Sequence, residues 1–133
     1  MYTKPSTPTW RDIDLSFMSH PGTGDLIMKT DLNSIFQSLE NLIITGVNDF
    51  IMCPGIGGGI EEMLFEINTT LGLSNLRTRI ENTIKAHESR IELDAVVVET
   101  DPSNIHAIDV TVTFYALNQP ALQTTTVRLS RFR

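Results

Sequence analysis

Along residues 73–91 the apolar positions recur in steps of three or four: Leu73, Leu76, Ile80 and Ile84, with His87 on the same line and Ile91 closing it. That spacing draws a single stripe along a 3.6-residue helix, and the stripe needs a sheet or another helix to cover it. The opposite face carries Arg77, Arg79, Glu81, Asn82 and Lys85, which belong in water. Glu81 precedes Lys85 by four residues, the favourable order for a weak ion pair. At its far end this helix runs into Glu88-Ser89-Arg90, an acid and a base flanking one residue where helix must turn into strand.

Beyond Ile91 the period drops to two. Residues 93–100 form a Val-rich strand, and Asp101-Pro102-Ser103-Asn104 supplies turn residues. Residues 105–117 alternate most clearly: Ile108, Val110, Val112, Phe114 and Ala116 share one face, and Asp109, Thr111, Thr113 and Tyr115 share the other. One side is core and the other is wet or partner-facing. Asn118-Gln119-Pro120 turns the chain back into a Thr-rich strand over residues 123–130, with Val127 and Leu129 on one side and Thr124, Thr126 and Arg128 on the other. Connections this short require antiparallel neighbours. The last strand then stands at a sheet edge, where free N–H and C=O groups invite another chain.

Upstream, Asp12 to Phe17 alternates like a half-buried strand, His20-Pro21-Gly22-Thr23-Gly24-Asp25 breaks it, and Leu26-Ile27-Met28-Lys29 offers a second short strand. Asp31 is a good N-cap for a helix with Leu32, Ile35, Phe36, Leu39, Leu42 and Ile43 on one face and Asn33, Gln37, Glu40 and Asn41 on the other; Gly46 suits its C-terminal cap. Residues 47–59 follow no period. A short helix over residues 60–67 buries Ile60, Met63, Leu64 and Ile67 and sets Glu61 and Glu62 in its first turn, where the helix dipole favours them. Asn68-Thr69-Thr70 can cap the long helix early, which places Gly72 inside it at about 1 kcal/mol relative to Ala. The fold class is therefore α+β, with about three helices packed on a small antiparallel sheet made by the C-terminal half. Residues 1–10, with Pro5 and Pro8 among Ser and Thr, read as a flexible arm, and residues 11–133 as a single domain.

Composition narrows the functions. Sixteen acidic residues against 10 basic give a net charge of −6, which disfavours phosphate backbones as partners, so nucleic acid is not expected. No apolar run approaches the roughly 20 residues that span a bilayer, and the start has no apolar signal core, so no membrane partner is expected either. The single cysteine, Cys53, excludes an internal disulfide and a thiolate metal cluster, and is expected as a small buried hydrophobe.

Chemistry finds little to stand on. The glycines at 55, 57, 58 and 59 suggest a phosphate cradle, but Gly-x-Gly-x-x-Gly needs glycine where Ile60 stands, and the Walker pattern lacks its Lys and Ser or Thr. They read instead as a tight backbone path. His20, His87 and His106 have no metal-site spacing, and no Ser lies in Gly-x-Ser-x-Gly. Glu61, Glu62 and Glu66 offer carboxylates for a glycosidase, yet three glutamates on a short helix read more simply as a solvated face. Neither cofactor nor metal is expected, and no catalytic residue is assigned.

Three features in order carry a resemblance. Asp12-Ile13-Asp14-Leu15-Ser16-Phe17 is followed by Gly24-Asp25 and by Asp31 opening a helix that ends at Ile44-Thr45. Pro54 and Gly57 precede Leu64-Phe65-Glu66. Glu88-Ser89-Arg90 then Ile91 stands where a Glu-Pro-Arg signature would close the long helix. In this order the chain resembles the baseplate wedge, or sheath initiator, family of contractile-tailed bacteriophages, which includes the type VI secretion counterpart and was once labelled lysozyme-like. Two departures stand out. Ser89 replaces the family's proline, freeing φ and restoring an N–H. Asn48-Asp49-Phe50 stands where many members have Gly-Glu-Arg, so no role is carried over to it.

The resemblance implies a non-enzymatic adaptor in a virion's tail baseplate, assembled in the host cytoplasm. Its implied partners are other wedge proteins and the tail sheath protein, with tube or hub proteins as further candidates. Glu88 and Arg90 are the implied docking pair for the wedge core bundle, since an exposed pair contributes only about 0–1 kcal/mol to its own fold. Thr125, Val127 and Leu129 mark the strand offered to the first sheath ring. The alternatives are an internal salt bridge for Glu88 and Arg90, and, for the whole chain, a peptidoglycan-degrading enzyme or a small regulatory protein-binding domain.

Overall fold

The structure, a computed structural model, describes residues 9–45, 49, 51–53, 55–57, 59–64 and 69–130, with residues 61 and 62 described by main chain only. Residues 1–8 of the expected arm at residues 1–10, together with Gly46, Asn48, Phe50, Pro54, Gly58 and residues 65–68, which include Ile67 of the expected short helix and the expected cap Asn68, lie outside them. Two compact units divide the chain between Gln37 and Ser38, inside the first helix.

The first unit is built on a hairpin. Strand β1 (Arg11–Ile13) pairs antiparallel with β2 (Met28–Thr30), bringing Ile13 opposite Met28. Strand β1 is shorter than the alternation suggested, because the chain turns at Asp14, whose carboxylate accepts from the Ser16 amide and whose carbonyl accepts from the Phe17 amide, and β2 runs from Met28 to Thr30 where Leu26 to Lys29 was expected. Helix α1 (Asp31–Ile44) follows β2 at once. Asp31 Oδ1 accepts from the Thr9 and Trp10 amides at 2.9 and 3.3 Å, tying the helix start to the chain that enters β1. Gln37, on the predicted polar face, grips the hairpin instead of water: its Nε2 donates to the Ile13 carbonyl and its Oε1 accepts from the Leu15 amide.

The second unit carries the C-terminal sheet. Ile35, Leu39 and Ile43 of α1 are buried as their spacing requires, the last two within this unit. A single turn, α2 (Ile60–Met63), lies against α3 (Thr70–His87), which lies against β3 (Ile91–Asp101). The sheet has the order β3-β4-β5, with β4 (Asn104–Ala116) in the centre and β5 (Gln119–Ser130) at one edge, all antiparallel as the turn lengths demanded. Ile108, Val110, Val112, Phe114 and Ala116 are buried on one face with Val96, Val127 and Leu129; Val97, Glu99, Tyr115, Thr124, Thr126 and Arg128 are exposed on the other. Asp94 falls in a register shift between Leu93 and Ala95, a bulge that alternation alone does not reveal.

Local details depart from the sequence reading in ways that have physical causes. Helix α3 begins at Thr70 because Thr69 caps it, its hydroxyl accepting from the Gly72 amide at 3.0 Å. Leu76, Ile80 and Ile84 form the buried stripe, whereas His87 is exposed with Nε2 3.2 Å from the Gly55 carbonyl, and Ile91 already belongs to β3. Glu81 pairs at 3.0 Å with Arg77, one turn upstream of it, where the spacing had suggested Lys85, one turn downstream. The second turn falls at Leu117 and Asn118, so Gln119 and Pro120 open β5, a strand position that tolerates proline. Cys53 is exposed, against its expected burial, because it sits in the irregular loop and not on an amphipathic element.

Candidate functional site: the helix-strand junction and the free sheet edge

Helix α3 stops at Glu88, which leaves helical geometry (φ −115°, ψ 92°) while its amide still donates to the Ile84 carbonyl at 2.9 Å. Leaving the helix there turns the Glu88 side chain inward, where only 5% of the residue remains exposed. Two residues later Arg90 folds back on it. Arg90 Nε donates to Oε1 at 2.8 Å and Nη2 to Oε2 at 2.7 Å, a bidentate fork that a lysine would not reproduce, and the Arg90 amide adds a bond to Oε1 at 3.2 Å. The Arg90 carbonyl accepts from the Leu117 amide at 3.0 Å, so the same residue fastens the junction to the end of β4.

Burial, the largest single influence, pushes the Glu88 carboxyl up; hydrogen bonds from Arg90, from the Ser38 hydroxyl and from the Arg90 amide, together with the guanidinium charge, outweigh it and hold the carboxyl below its ordinary value. The carboxylate is thus ionised inside the fold, and the pair is not the exposed one expected. Ser38 is the member that sequence reasoning missed. Its signal was faint: Ser34 and Ser38 stand one turn apart on α1 beside the buried Ile35 and Leu39, and Ser34 itself is fully buried.

The other predicted partner-binding residues, Thr125, Val127 and Leu129, lie together on β5, away from the junction. Val127 and Leu129 are buried and pair with Val110 and Ile108, and Thr125 sits half-buried opposite Val112. Their side chains therefore serve the core, and what β5 presents outward is main chain. Among the described residues no strand pairs with its outer edge. On the exposed face Thr126 Oγ1 lies 3.2 Å from Thr111 Oγ1, and Arg128 reaches Asp101 Oδ2 and, at 3.9 Å, Asp109. Asp101 is held below its ordinary value chiefly by the Ser103 hydroxyl, then by the Ser103 amide, with Arg128 adding to them.

An open cleft of about 400 Å³ lies beside the β4–β5 turn, lined by Glu92, Tyr115, Ala116, Leu117, Asn118, Gln119 and Pro120. It holds one carboxylate, where glycoside cleavage uses two across the sugar. The side chains of Glu61 and Glu62 and the whole of Glu66 lie outside the described residues. Among the described residues no group of three or more His, Cys, Asp or Glu side chains is placed to hold a metal, and no helix is long and apolar enough to cross a membrane.

Comparison with known proteins adds one family and several solved structures. The family profile of baseplate wedge protein gp25 matches residues 29–121. A crystal structure of a candidate tail lysozyme from Geobacter sulfurreducens superposes with a TM-score of 0.72 at 16% identity, covering 80% of this chain and 96% of that one. A chain of the anti-feeding prophage baseplate gives 0.63 at 23% identity, covering 93% and 87%. A chain of the type VI secretion baseplate complex gives 0.64 at 15% identity, covering 75% and 93%. No functionally curated protein matches the chain.

Proposed function

The chain belongs to the baseplate wedge protein gp25 family, a baseplate component of tail or secretion-system assemblies, and we propose that in its own assembly it docks on the wedge core bundle and starts the sheath. Sheath subunits of the first ring add strands to the outer edge of β5. The observation that carries this reading is that edge: a 12-residue strand whose side chains are committed to the core on one face and to threonines on the other, with its outer main chain unpaired among the described residues. Strand addition fixes register through main-chain bonds, which suits an initiator because every incoming subunit meets the same geometry. Glu88 and Arg90 support docking by fixing the angle at which α3 meets the sheet, while the one-fifth of the Arg90 side chain that stays exposed is the part a wedge protein can touch. Tail sheath and neighbouring wedge proteins are the partners; tube or hub contacts follow from position in the baseplate, and assembly takes place in the host cytoplasm before release.

Reconstitution tests this. Baseplates assembled without this chain should grow tube but no sheath, and adding the purified protein should restore sheath growth. Normal sheath on baseplates lacking the chain would refute the proposal. The likeness to a candidate tail lysozyme, at 16% identity, speaks to the fold alone, and we assign no enzymatic activity. Purified protein incubated with peptidoglycan should release no soluble muropeptides; release that disappears on a Glu→Gln change at Glu61, Glu62 or Glu66 would reverse that assignment.

A further inference from the structure

The hairpin of the first unit presents a surface that neither the sheet edge nor the junction explains. Phe17 and Met18 are 66% and 61% exposed, Ile13 and its cross-strand partner Met28 are exposed beside each other, and Leu15 and Leu26 add to them. Apolar patches of this kind on a soluble domain mark interaction sites. Phe17 also sits at φ 52°, in the left-handed region that an aromatic residue rarely adopts, so the backbone is held in a disfavoured conformation while its ring stands in water.

That conformation is built. The Asp14 carbonyl and carboxylate hold the Phe17 and Ser16 amides at 3.0 and 2.9 Å, and Gln37 of α1 clamps Ile13 and Leu15 at 2.9 and 3.2 Å. A turn braced from both sides presents its tip already ordered, which lowers the entropy lost on binding. Within the loop between the strands, residues 14–27, the charged side chains are Asp14 and Asp25, with neither lysine nor arginine, while Arg11 and Lys29 stand on the strands at its base. Asp14 is kept ionised by the Ser16 amide and then the Ser16 hydroxyl, with Lys29 helping to hold its carboxyl down, and Asp25, exposed, lies across the turn region where its carbonyl accepts from the His20 amide. The loop of the hairpin, residues 14–27, precedes the stretch matched by the family profile, which begins at residue 29.

We propose that the hairpin is a docking knob for a neighbouring baseplate protein, seating Phe17 and Met18 in an apolar groove whose rim carries Lys or Arg side chains opposite Asp14 and Asp25. An apolar centre within a charged rim is the usual anatomy of such an interface, and the like-signed rim of the knob selects a basic one. The inference rests on the baseplate reading only for the assembly in which the groove is found.

The test places the photo-crosslinker benzoylphenylalanine at Met18 in the assembled baseplate and identifies the crosslinked peptide by mass spectrometry. The expected product joins Met18 to an apolar groove of a different protein within reach of Lys or Arg. Crosslinks only within the same chain, to a second copy of this chain, or to a surface without basic residues overturn the knob, whereas absence of the chain from purified baseplates overturns the baseplate reading itself. With the crosslinked protein in hand, Phe17→Ser with Met18→Ser should weaken binding about tenfold or more, the scale of a hot-spot loss, with an unchanged melting curve. Asp14→Asn with Asp25→Asn, which keeps the turn acceptors, should flatten the loss of affinity with added salt. Unchanged affinity in the first variant, or unchanged salt dependence in the second, counts against the proposal.

Discussion

Glu88 is nearly inaccessible to water yet carries a charge, and Arg90 and Ser38 are the reason. In the unfolded chain that carboxyl titrates near its ordinary value; folding lowers it. Between the two values the unfolded state binds more protons, so stability rises with pH across that window, is fully present above the unfolded value and is lost as pH falls through the folded one. Urea midpoints measured from pH 7 to pH 3 should therefore fall more steeply for the wild type than for Glu88→Gln, and parallel curves would show that the pair carries no such linkage. Arg90→Ala strands a buried carboxylate and should cost about 1–3 kcal/mol, against the roughly ±0.5 kcal/mol of an ordinary surface change. Binding by that variant has to be measured where it is folded, since lost docking and lost fold otherwise look alike. The Glu-x-Arg spacing made the pair legible in sequence. Ser38 was not legible, because nothing local links a serine in α1 to a carboxylate at the end of α3, and the exposure of Cys53 was hidden because its loop obeys no period.

Elements were read well where burial imposes a period and poorly where it does not. Helix α1 buries Ile35, Leu39 and Ile43, and β4 buries alternate residues, because each has one face to hide. The ends depended on single hydrogen bonds: Thr69 pulls the start of α3 back to Thr70, leaving Gly72 inside the first turn. Replacing that cap by Ala should destabilise the protein by about 1 kcal/mol, seen as a lower urea midpoint with an unchanged slope. No change would mean that α3 starts further along, at Ser74, as the glycine alone would favour. The bulge at Asp94 escaped the sequence reading because an inserted residue leaves the composition of a strand unaltered and shows only in its register with β4.

At the scale of the molecule, a three-stranded sheet has two edges, and this one protects them unequally. The β3 edge carries exposed Glu92, Asp94 and Glu99 and is bent by the register shift at Leu93 and Ala95. Like charges and a bulge are the devices by which proteins close an edge to further pairing. The β5 edge has no acid; its one charged residue, Arg128, is engaged with Asp101 and Asp109, and its remaining exposed side chains include Thr124 and Thr126. If the sheath is started by strand addition, it starts at β5. Successive amides of a strand point to opposite sides, so of Thr125→Pro and Thr126→Pro one breaks the ladder with β4 and the other removes an outward N–H, and the variant that melts like the wild type is the outward one. That variant should enter baseplates and fail to nucleate sheath. The equivalent pair in β3, Val97→Pro and Val98→Pro, yields its own stable member, and baseplates carrying it should grow sheath at the normal rate. Normal sheath on the stable β5 variant, or a block from the stable β3 variant, would place the growing edge elsewhere and sink the assignment.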